Sequence, residues 1–338
     1  MRFGFGAIPD GTLDSSVRLA QLGEELGYDM FWIPDQTFYA DPFVVMTTCA
    51  LHTSRIQLML GVANPFTRHP VQVARAAITI DEIADGRMVV GYGAGNGEEL
   101  VLRLGDDHSR IAQRCREAVG VTRRLLAGDS VTERSDTLAL DGVQLLAPPR
   151  PSIPIYVGGR SPGILRVAGA VGDGVIVGSI ASPDGLAYAL ETVRSGAAEA
   201  GRTLHDVEIV SWAGVHLTSG AVGAADFMKP IVANVIAGHR TPEWVLRTVG
   251  LPQSRIDELR AVYAREGKLA AAKRVADAEA QLFAHIGDAQ YLRHRFGQLA
   301  EIGIGQVGIL LQQPGFEAKE AFLRSFAESV MGPLANAG

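Results

Sequence analysis

A short stretch, residues 61–70, combines amide, guanidinium and imidazole side chains with a glycine that directly follows the apolar run 56–60. A glycine at the end of a buried strand lets the backbone approach a flat ligand closely. Asn64, Arg68 and His69 place polar groups beside that backbone, as in a catalytic-face loop of a barrel strand. His69 is therefore a catalytic candidate. A capping or supporting role for His69, and an ion pair between Arg68 and a carboxylate of a neighbouring loop, explain the same residues equally well.

A carboxylate, Asp35, follows the apolar run 30–33 in the same way. At the end of a strand it could accept a hydrogen bond from a ring N–H or relay a proton, so it is a second catalytic candidate. The alternative is structural, with Asp35 capping the next helix or forming a turn.

Glycines follow three further apolar runs. In residues 91–99 the alternating glycines, Gly93 and Gly95 among them, would let the backbone lie against a planar ring or a phosphate, although a plain glycine-rich turn explains the run equally well. Exposed backbone N–H groups with arginine and serine donors at a helix start predict a phosphate site after the fifth and sixth strands. Its predicted contacts are Gly158, Gly159, Arg160, Ser161, Gly178 and Ser179. Barrels usually place such a site after strands seven and eight, so this position is unusual.

Other chemistries lack a signature. The histidines have no metal-ligand spacing, and no HExxH, nucleophile-elbow or Walker pattern is present. Cys49 and Cys115 lie in helical patterns without CxxC spacing, which predicts structural thiols. We therefore expect neither a metal centre nor an acyl-enzyme.

Composition limits the partners. The chain has 338 residues, 47% of them hydrophobic, and a net charge of -6 spread along the sequence. This balance argues against nucleic acid or an anionic membrane as a partner. No apolar stretch approaches the roughly 18 residues of a membrane span, and the N-terminus lacks the features of a secretory signal. The expectation is a cytoplasmic protein with a small-molecule substrate.

Strand and helix patterns alternate from the first residue and predict an α/β protein of the (β/α)8 TIM-barrel type. The eight predicted strands are 2–8, 30–33, 56–60, 88–92, 154–157, 173–177, 207–213 and 306–310. Segment 130–146 is predicted to leave the barrel as a β-hairpin that turns at Asp141-Gly142. A doubly wound sheet is the alternative, but no GxGxxG follows the first strand.

The segment 219–279 does not fit a simple βα unit. Its pattern is mostly helical, with helices expected at 224–237, 242–249, 254–266 and 269–284. An insertion after a barrel strand lies on the catalytic face, so we interpret it as a lid or a dimer surface of one barrel domain, residues 1–338.

Taken together, these residues resemble the bacterial-luciferase-like superfamily, and within it the methylenetetrahydromethanopterin reductases and other deazaflavin-dependent oxidoreductases. The resemblance spans nearly the whole chain. The segments that carry it are Gly61-Val62 with 64–70, the turn Gly86-Arg87 leading to 91–96, 154–159 and 170–174. It implies a TIM barrel that binds coenzyme F-420, an 8-hydroxy-5-deazaflavin, or FMN at its C-terminal face, usually as a homodimer or larger oligomer.

The same resemblance implies site residues. A non-prolyl cis peptide is implied at Gly61-Val62, forming a bulge behind the central ring. Asp35 and Asn64 would lie near the ring with Gly95 and Asn96 beside it, and residues 158–161 and 178–179 would hold the phosphate. Sugar-phosphate dehydrogenases of this family carry histidine and glutamate where this chain has Gln36 and Asn96, which disfavours that activity.

The leading hypothesis is hydride transfer between deazaflavin and an unsaturated carbon or imine, with Asp35, His69 or Glu98 delivering the proton. The runner-up is an FMN-dependent monooxygenase supplied with reduced flavin by a separate reductase. A third possibility is a non-catalytic relative that only binds flavin or dimerises.

Overall fold

The computed structural model describes residues 1–95, 104, 109–218, 225–238 and 241–335. Its strands, in chain order, are β1 (Arg2–Gly6), β2 (Met30–Ile33), β3 (Gln57–Ala63), β4 (Met88–Gly93), β5 (Val131–Arg134), β6 (Ala139–Val143), β7 (Ile155–Gly159), β8 (Gly174–Gly178), β9 (Glu208–Trp212), β10 (Gly214–Leu217), β11 (Ala284–Gly287) and β12 (Gln306–Leu310).

Eight of these strands close into a parallel barrel in the order β1-β12-β9-β8-β7-β4-β3-β2. They coincide with the eight strands expected from the sequence, so the predicted (β/α)8 barrel is confirmed. In a barrel of this kind the carboxyl ends of all strands meet at one face, where loops carry the functional groups.

Helices cover the outside of the barrel. They are α1 (Leu13–Glu25), α2 (Pro42–Leu51), α3 (Pro70–Ile83), α4 (Ile111–Leu126), α5 (Pro162–Val171), α6 (Pro183–Glu199), α7 (Lys229–Ala233), α8 (Glu243–Val249), α9 (Gln253–Glu266), α10 (Lys268–Ala272), α11 (Asp277–Ala280), α12 (Ala289–Glu301), α13 (Gly315–Phe326) and α14 (Gly332–Ala335). Proline at the first position begins α2, α3, α5 and α6, because its missing N–H and fixed φ suit a helix start. Within the described residues, no helix is both long and apolar enough to cross a membrane.

The barrel interior is filled by side chains that alternate along the strands. The tryptophans Trp32 and Trp212 pack ring to ring with centroids 4.0 Å apart. They fit because Gly6 and Gly308 stand opposite them: a Cβ atom at Gly308 would collide with both rings, and one at Gly6 would lie 2.6 Å from Trp212. The interior cluster is Met30, Trp32, Met59, Val89, Tyr156, Ile176 and Val210.

The predicted hairpin is confirmed, but its turn lies elsewhere. Strands β5 and β6 pair antiparallel, and the chain reverses at residues 135–138 rather than at Asp141-Gly142. There the Ser135 Oγ accepts hydrogen bonds from the backbone of Thr137 and Leu138. Gly142 instead lies inside β6 with φ of 60°, beside the register shift between Val131 and Glu133.

The insertion differs from the sequence prediction at both ends. The predicted helix 269–284 is wrong: it divides into α10 and α11, and the chain then forms β11, which pairs in parallel with β10. Pairing with β10 satisfies the backbone of residues 284–287, and an ion pair from Lys229 to Asp277 fixes α11. The predicted helix 224–237 is shorter, with α7 followed by a π turn at 234–238.

Candidate functional site

An open cavity of about 370 Å³ lies where the barrel strands end. Its walls come from the carboxyl ends of β3, β7, β8, β9 and β12, the loop after β2 and the insertion. The insertion contributes Ile231, Asn234, Val235 and Lys268, so it covers part of the barrel mouth. The remaining lining residues are Ile8, Trp32, Pro34, Asp35, Gln36, Gly61, Val62, Gly95, Gly158, Gly159, Arg160, Ile176, Gly178, Ser179, Trp212, Leu310 and Gln312.

The end of β3 forms one wall of the cavity. The peptide bond between Gly61 and Val62 is cis, as the family resemblance implied. The pairing of β3 with β4 shifts register between Leu60 and Ala63, which makes a bulge there. Both residues of the cis bond line the cavity, and a planar ligand bound there would face this bulge.

The glycines of β4 and β7 make room for the side chain of Val62. Added Cβ atoms would lie 3.2 Å from it at Gly91, 3.0 Å at Gly93 and 3.1 Å at Gly158. Gly91 and Gly93 are buried; neither lines the cavity, whereas Gly95 is exposed, has φ of 56° and does line it. The alternating glycines of this strand therefore shape the bulge, and only the last of them reaches the cavity.

Asn64 fixes the loop that follows β3. Its side chain is buried, with Nδ2 donating to the Ala94 carbonyl at 3.1 Å and Oδ1 accepting from the Phe66 N–H at 2.9 Å. The residue joins the ends of β3 and β4 and does not line the cavity. Its contacts are those of a residue that holds the bulge in place.

Asp35 lies at the cavity, held by Arg68. Nε of Arg68 donates to one carboxylate oxygen at 2.9 Å and Nη2 to the other at 3.1 Å. The same Nη2 donates to Asp41 at 2.8 Å, and the other oxygen of Asp41 caps α2 through the Phe43 N–H. The hydrogen bond that Arg68 donates to Asp35 raises the pKa of the Arg68 guanidinium further above its usual value, against the effect of burial. The ion-pair alternative for Arg68 is thus the one found.

His69 is the N-cap of α3. Its Nδ1 accepts a hydrogen bond from the Val71 N–H at 3.3 Å. The imidazole is exposed and does not line the cavity. The capping alternative describes its contacts. Two other predicted residues, Asn96 and Glu98, lie outside the described residues.

The side of the cavity formed by the ends of β7 and β8 carries positive charge. Gly158, Gly159, Arg160, Gly178 and Ser179, all residues of the predicted phosphate site, line the cavity there. Arg160 donates to the Thr241 hydroxyl at 3.0 Å and has no carboxylate partner within the described part of the chain. Burial lowers the pKa of Arg160 to about 10, because a desolvated guanidinium without a counter-ion loses part of the stabilisation of its charge. Ser161 stands at the N-cap position of α5 without a side-chain capping hydrogen bond, and it does not line the cavity.

Sequence reasoning missed part of the site. Trp32 lines the cavity floor beside Trp212, and the glycines opposite the two rings, Gly6 and Gly308, were the available signal. Tyr92, by contrast, belongs to the packed core, where its hydroxyl binds Thr122 at 2.7 Å. Lys268, Asn234 and Gln312 reach the cavity from positions that no local pattern marks.

The residues that the structure describes contain no group of three or more histidine, cysteine, aspartate or glutamate side chains placed to hold a metal. Cys49 and Cys115 are buried, and burial raises the pKa of each thiol to about 12. Protonated buried thiols are inert, as predicted from their positions.

The class of protein follows from these features: a closed parallel barrel with a cavity at its carboxyl face, bounded by a cis bulge and a helical insertion, is an enzyme architecture. Residues 2–306 match the family described as luciferase-like monooxygenase. The chain belongs to this family and is an oxidoreductase.

Similar proteins agree with this assignment. The chain is 30% identical over 311 residues to the 5,10-methylenetetrahydromethanopterin reductase of Archaeoglobus fulgidus, covering 91% of this chain and 92% of the relative. It is 27% identical over 333 residues to the protein of the same name from Methanolobus tindarius, covering 98% and 100%. The solved structure of coenzyme F-420 dependent tetrahydromethanopterin reductase from Methanopyrus kandleri has a TM-score of 0.86 at 24% identity, covering 98% of this chain and 99% of that one.

Proposed function

We propose that this protein binds coenzyme F-420 in the cavity and exchanges a hydride with a small organic substrate. The observation that carries the proposal is the cavity itself, which has the cis bulge at its wall and an arginine without a carboxylate partner at one side. The names of the relatives from Archaeoglobus and Methanolobus support the same reading, because both are reductases of a methylene-pterin.

The residues present suit such a cofactor. When bound, a deazaflavin supplies reversible two-electron hydride chemistry, because carbon replaces the ring nitrogen that lets a flavin activate oxygen. Gly61, Val62 and Gly95 would flank its ring system. Residues 158–160 and 178–179 would hold its anionic side chain. The space beside Gly178 is open, because an added Cβ atom there would have only the Arg160 guanidinium within 4 Å.

The proton that accompanies the hydride needs a donor. Both oxygens of Asp35 accept hydrogen bonds from Arg68, so we assign Asp35 the role of a fixed anion that orients ligand at the cavity. His69 caps α3 and stands away from the cavity. Glu98, or water, is then the proposed proton donor.

The substrate class follows from chemistry and from the relatives' names. An imine or iminium carbon is an electrophile that accepts hydride, and a methylene carbon between two nitrogens becomes one when one of its C–N bonds breaks and the departing nitrogen takes the electron pair and then the proton. The relatives are named for the reduction of a methylene-pterin of this kind. Gln36, a neutral amide, lines the cavity beside Asp35. We therefore propose a pterin or another imine-type substrate rather than a sugar phosphate.

The second candidate is an FMN-dependent monooxygenase that receives reduced flavin from a partner reductase. The description of the matched family, luciferase-like monooxygenase, favours it. The two candidates differ in oxygen use, because only reduced flavin activates oxygen.

A binding titration tests the proposal. The purified protein is titrated with coenzyme F-420 and with FMN, each oxidised and reduced, and fluorescence quenching is followed. We expect tight binding of F-420 and binding of FMN at least about tenfold weaker. Preference for reduced FMN, with oxygen consumption, would establish the monooxygenase instead, and binding of neither would favour a non-catalytic relative.

We also infer that the protein assembles as a homodimer through α2. This helix has no charged side chain in its ten residues and exposes Val44 and Leu51. A helix without charged side chains that exposes apolar residues is often covered by a partner.

A further inference from the structure

The charges at the cavity are unevenly compensated. Among the described residues, its ionisable lining groups with a full charge are Asp35, Arg160 and Lys268. Asp35 is neutralised by Arg68 at 2.9 Å. Neither Arg160 nor Lys268 has an ion-pair partner in the part of the chain that the structure describes.

The two cations come from different parts of the fold. Arg160 follows β7 and Asp35 follows β2, and β4 and β3 lie between these two strands in the barrel. Lys268 is the first residue of α10, in the insertion. Both line the same cavity, so the barrel and the insertion each contribute one cation to it.

Arg160 is also joined to the insertion directly. Its Nη1 donates to the hydroxyl of Thr241 at 3.0 Å, and that buried hydroxyl donates to the Val235 carbonyl at 2.9 Å. Arg260 of α9 donates to the carbonyl of Thr241 at 2.9 Å. A group that binds Arg160 therefore acts on the residues that seat the insertion on the barrel.

Burial of Arg160 carries a desolvation cost, and neither Arg160 nor Lys268, which is exposed at the cavity, has a carboxylate among the described residues to balance its charge. An anion in the cavity relieves both effects. A phosphate or a carboxylate is the matching chemistry, since Arg and Lys both form charge-assisted hydrogen bonds to oxygen anions.

We propose that Arg160 and Lys268 form a two-cation site, shared by the barrel and the insertion, that binds an anionic group of the ligand and thereby holds the insertion over the cavity. The inference rests on the proposed function for the identity of the ligand, whose phosphodiester or glutamate tail supplies the anion. Lys268 is thus a binding residue that only the folded insertion brings to the site.

The test compares two deazaflavins that differ in charge. Affinities for coenzyme F-420 and for the same deazaflavin without its phosphate and glutamate tail (called the riboside below for its ribityl chain) are measured with the native protein, Lys268→Ala, Lys268→Arg and Lys273→Ala. We expect Lys268→Ala to weaken binding of F-420 about tenfold and of the riboside less than twofold, as for loss of one charge-assisted contact. Lys268→Arg should keep most of the affinity. Lys273 is an exposed lysine of the same insertion outside the cavity, so Lys273→Ala is the matched control.

A second readout follows the insertion itself. Hydrogen exchange of residues 253–272 should slow when F-420 binds to the native protein, and much less in Lys268→Ala. Equal weakening of both deazaflavins, or of neither, by Lys268→Ala overturns the proposal.

Failure of the proposed function has a different signature. If the native protein binds no F-420, the same exchange experiment is run with inorganic pyrophosphate. Slowed exchange that depends on Lys268 would then keep the two-cation site, and unchanged exchange would overturn it. If F-420 binds but hydrogen exchange of residues 253–272 is the same with and without F-420, the site at Lys268 is rejected while the proposed function stands.

Discussion

The role that Asp35 can take depends on the residues around it. By position alone it is a candidate acid or base. In the fold its side chain is only 2% exposed, and both oxygens are occupied by Arg68. Arg68 in turn also binds Asp41, the residue that begins α2. The cluster therefore joins two loops of the catalytic face and holds a fixed negative charge at the cavity edge.

Removing Arg68 should be costly. We expect Arg68→Met to lower the free energy of unfolding by about 2–4 kcal/mol, because it leaves a buried carboxylate without its partner. Urea denaturation measures this, with Arg75→Met, an exposed arginine of α3, as the control within about 0.5 kcal/mol. The double variant Arg68→Met, Asp35→Asn should recover part of the loss. Equal stabilities of Arg68→Met and Arg75→Met would contradict this account of the cluster.

Gly178 offers a way to block the cavity without disturbing the barrel. An added Cβ there would meet only the Arg160 guanidinium, at 3.8 Å, so a larger side chain points into open space. We expect Gly178→Leu to lower cofactor affinity at least about tenfold while the melting temperature changes by less than about 5 °C. Gly297→Leu, at a helix position where nothing lies within 4 Å, is the control that should bind normally. Normal binding by Gly178→Leu would place the cofactor elsewhere.

At the scale of elements, the strand pair β10–β11 fixes the insertion to the barrel. His285 of β11 is buried, with its Nε2 3.4 Å from the Ser211 hydroxyl and its ring edge-on to Phe296. Burial, assisted by the positive charge of Arg295, lowers the pKa of His285 to about 3. The folded protein thus holds this imidazole neutral where the unfolded chain would protonate it.

The folded protein should therefore lose stability in acid. The unfolded state binds a proton at His285 below a pH of about 6.5, and the folded state does so only near pH 3. The stabilisation from the neutral imidazole is present above pH 6.5 and is lost as pH falls, by at most about 1.4 kcal/mol per pH unit. The free energy of unfolding should differ less between pH 7 and pH 5 for His285→Gln than for the native protein. His294→Gln, an exposed histidine of α12, should keep the native difference; an unchanged difference in His285→Gln would refute the assignment.

At the scale of the whole molecule, the outer surface is uneven. Most helices present charged side chains to solvent, but α2 exposes Val44 and Leu51, with 54% and 66% of each residue accessible. Phe38 and Tyr39, in the loop before α2, are also exposed. Val44 and Leu51 are seven residues apart in α2 and therefore share one face, and exposed apolar groups on one face are typical of a surface that binds a partner.

A second copy of the chain is the expected partner. Light scattering should give the mass of a dimer for the native protein and that of a monomer for the double variant Val44→Lys, Leu51→Lys. Leu146→Lys changes the most exposed leucine of the described residues, in the segment after β6, and should leave the dimer intact. A native monomer, or a dimer unaffected by the α2 substitutions, would rule out this interface.

The sequence by itself determined the barrel. Each of the eight strands contains a short apolar run, and proline is the first residue of four helices. These are local signals, because period and turn chemistry depend on neighbours in the chain. The same logic placed Asp35, Gly158, Arg160 and Gly178 at one face, since parallel strands of a barrel end together.

Only the tertiary structure decided which of these groups act together. That Arg68 occupies Asp35, that Gly91 and Gly93 accommodate Val62, and that residues 284–287 form a strand rather than a helix all depend on contacts between distant segments. Lys268 is the clearest case, because its position follows from how the insertion packs on the barrel. Sequence patterns report the periodicity of single elements, whereas the pairing of charges and the filling of space are settled by the packing of all elements at once.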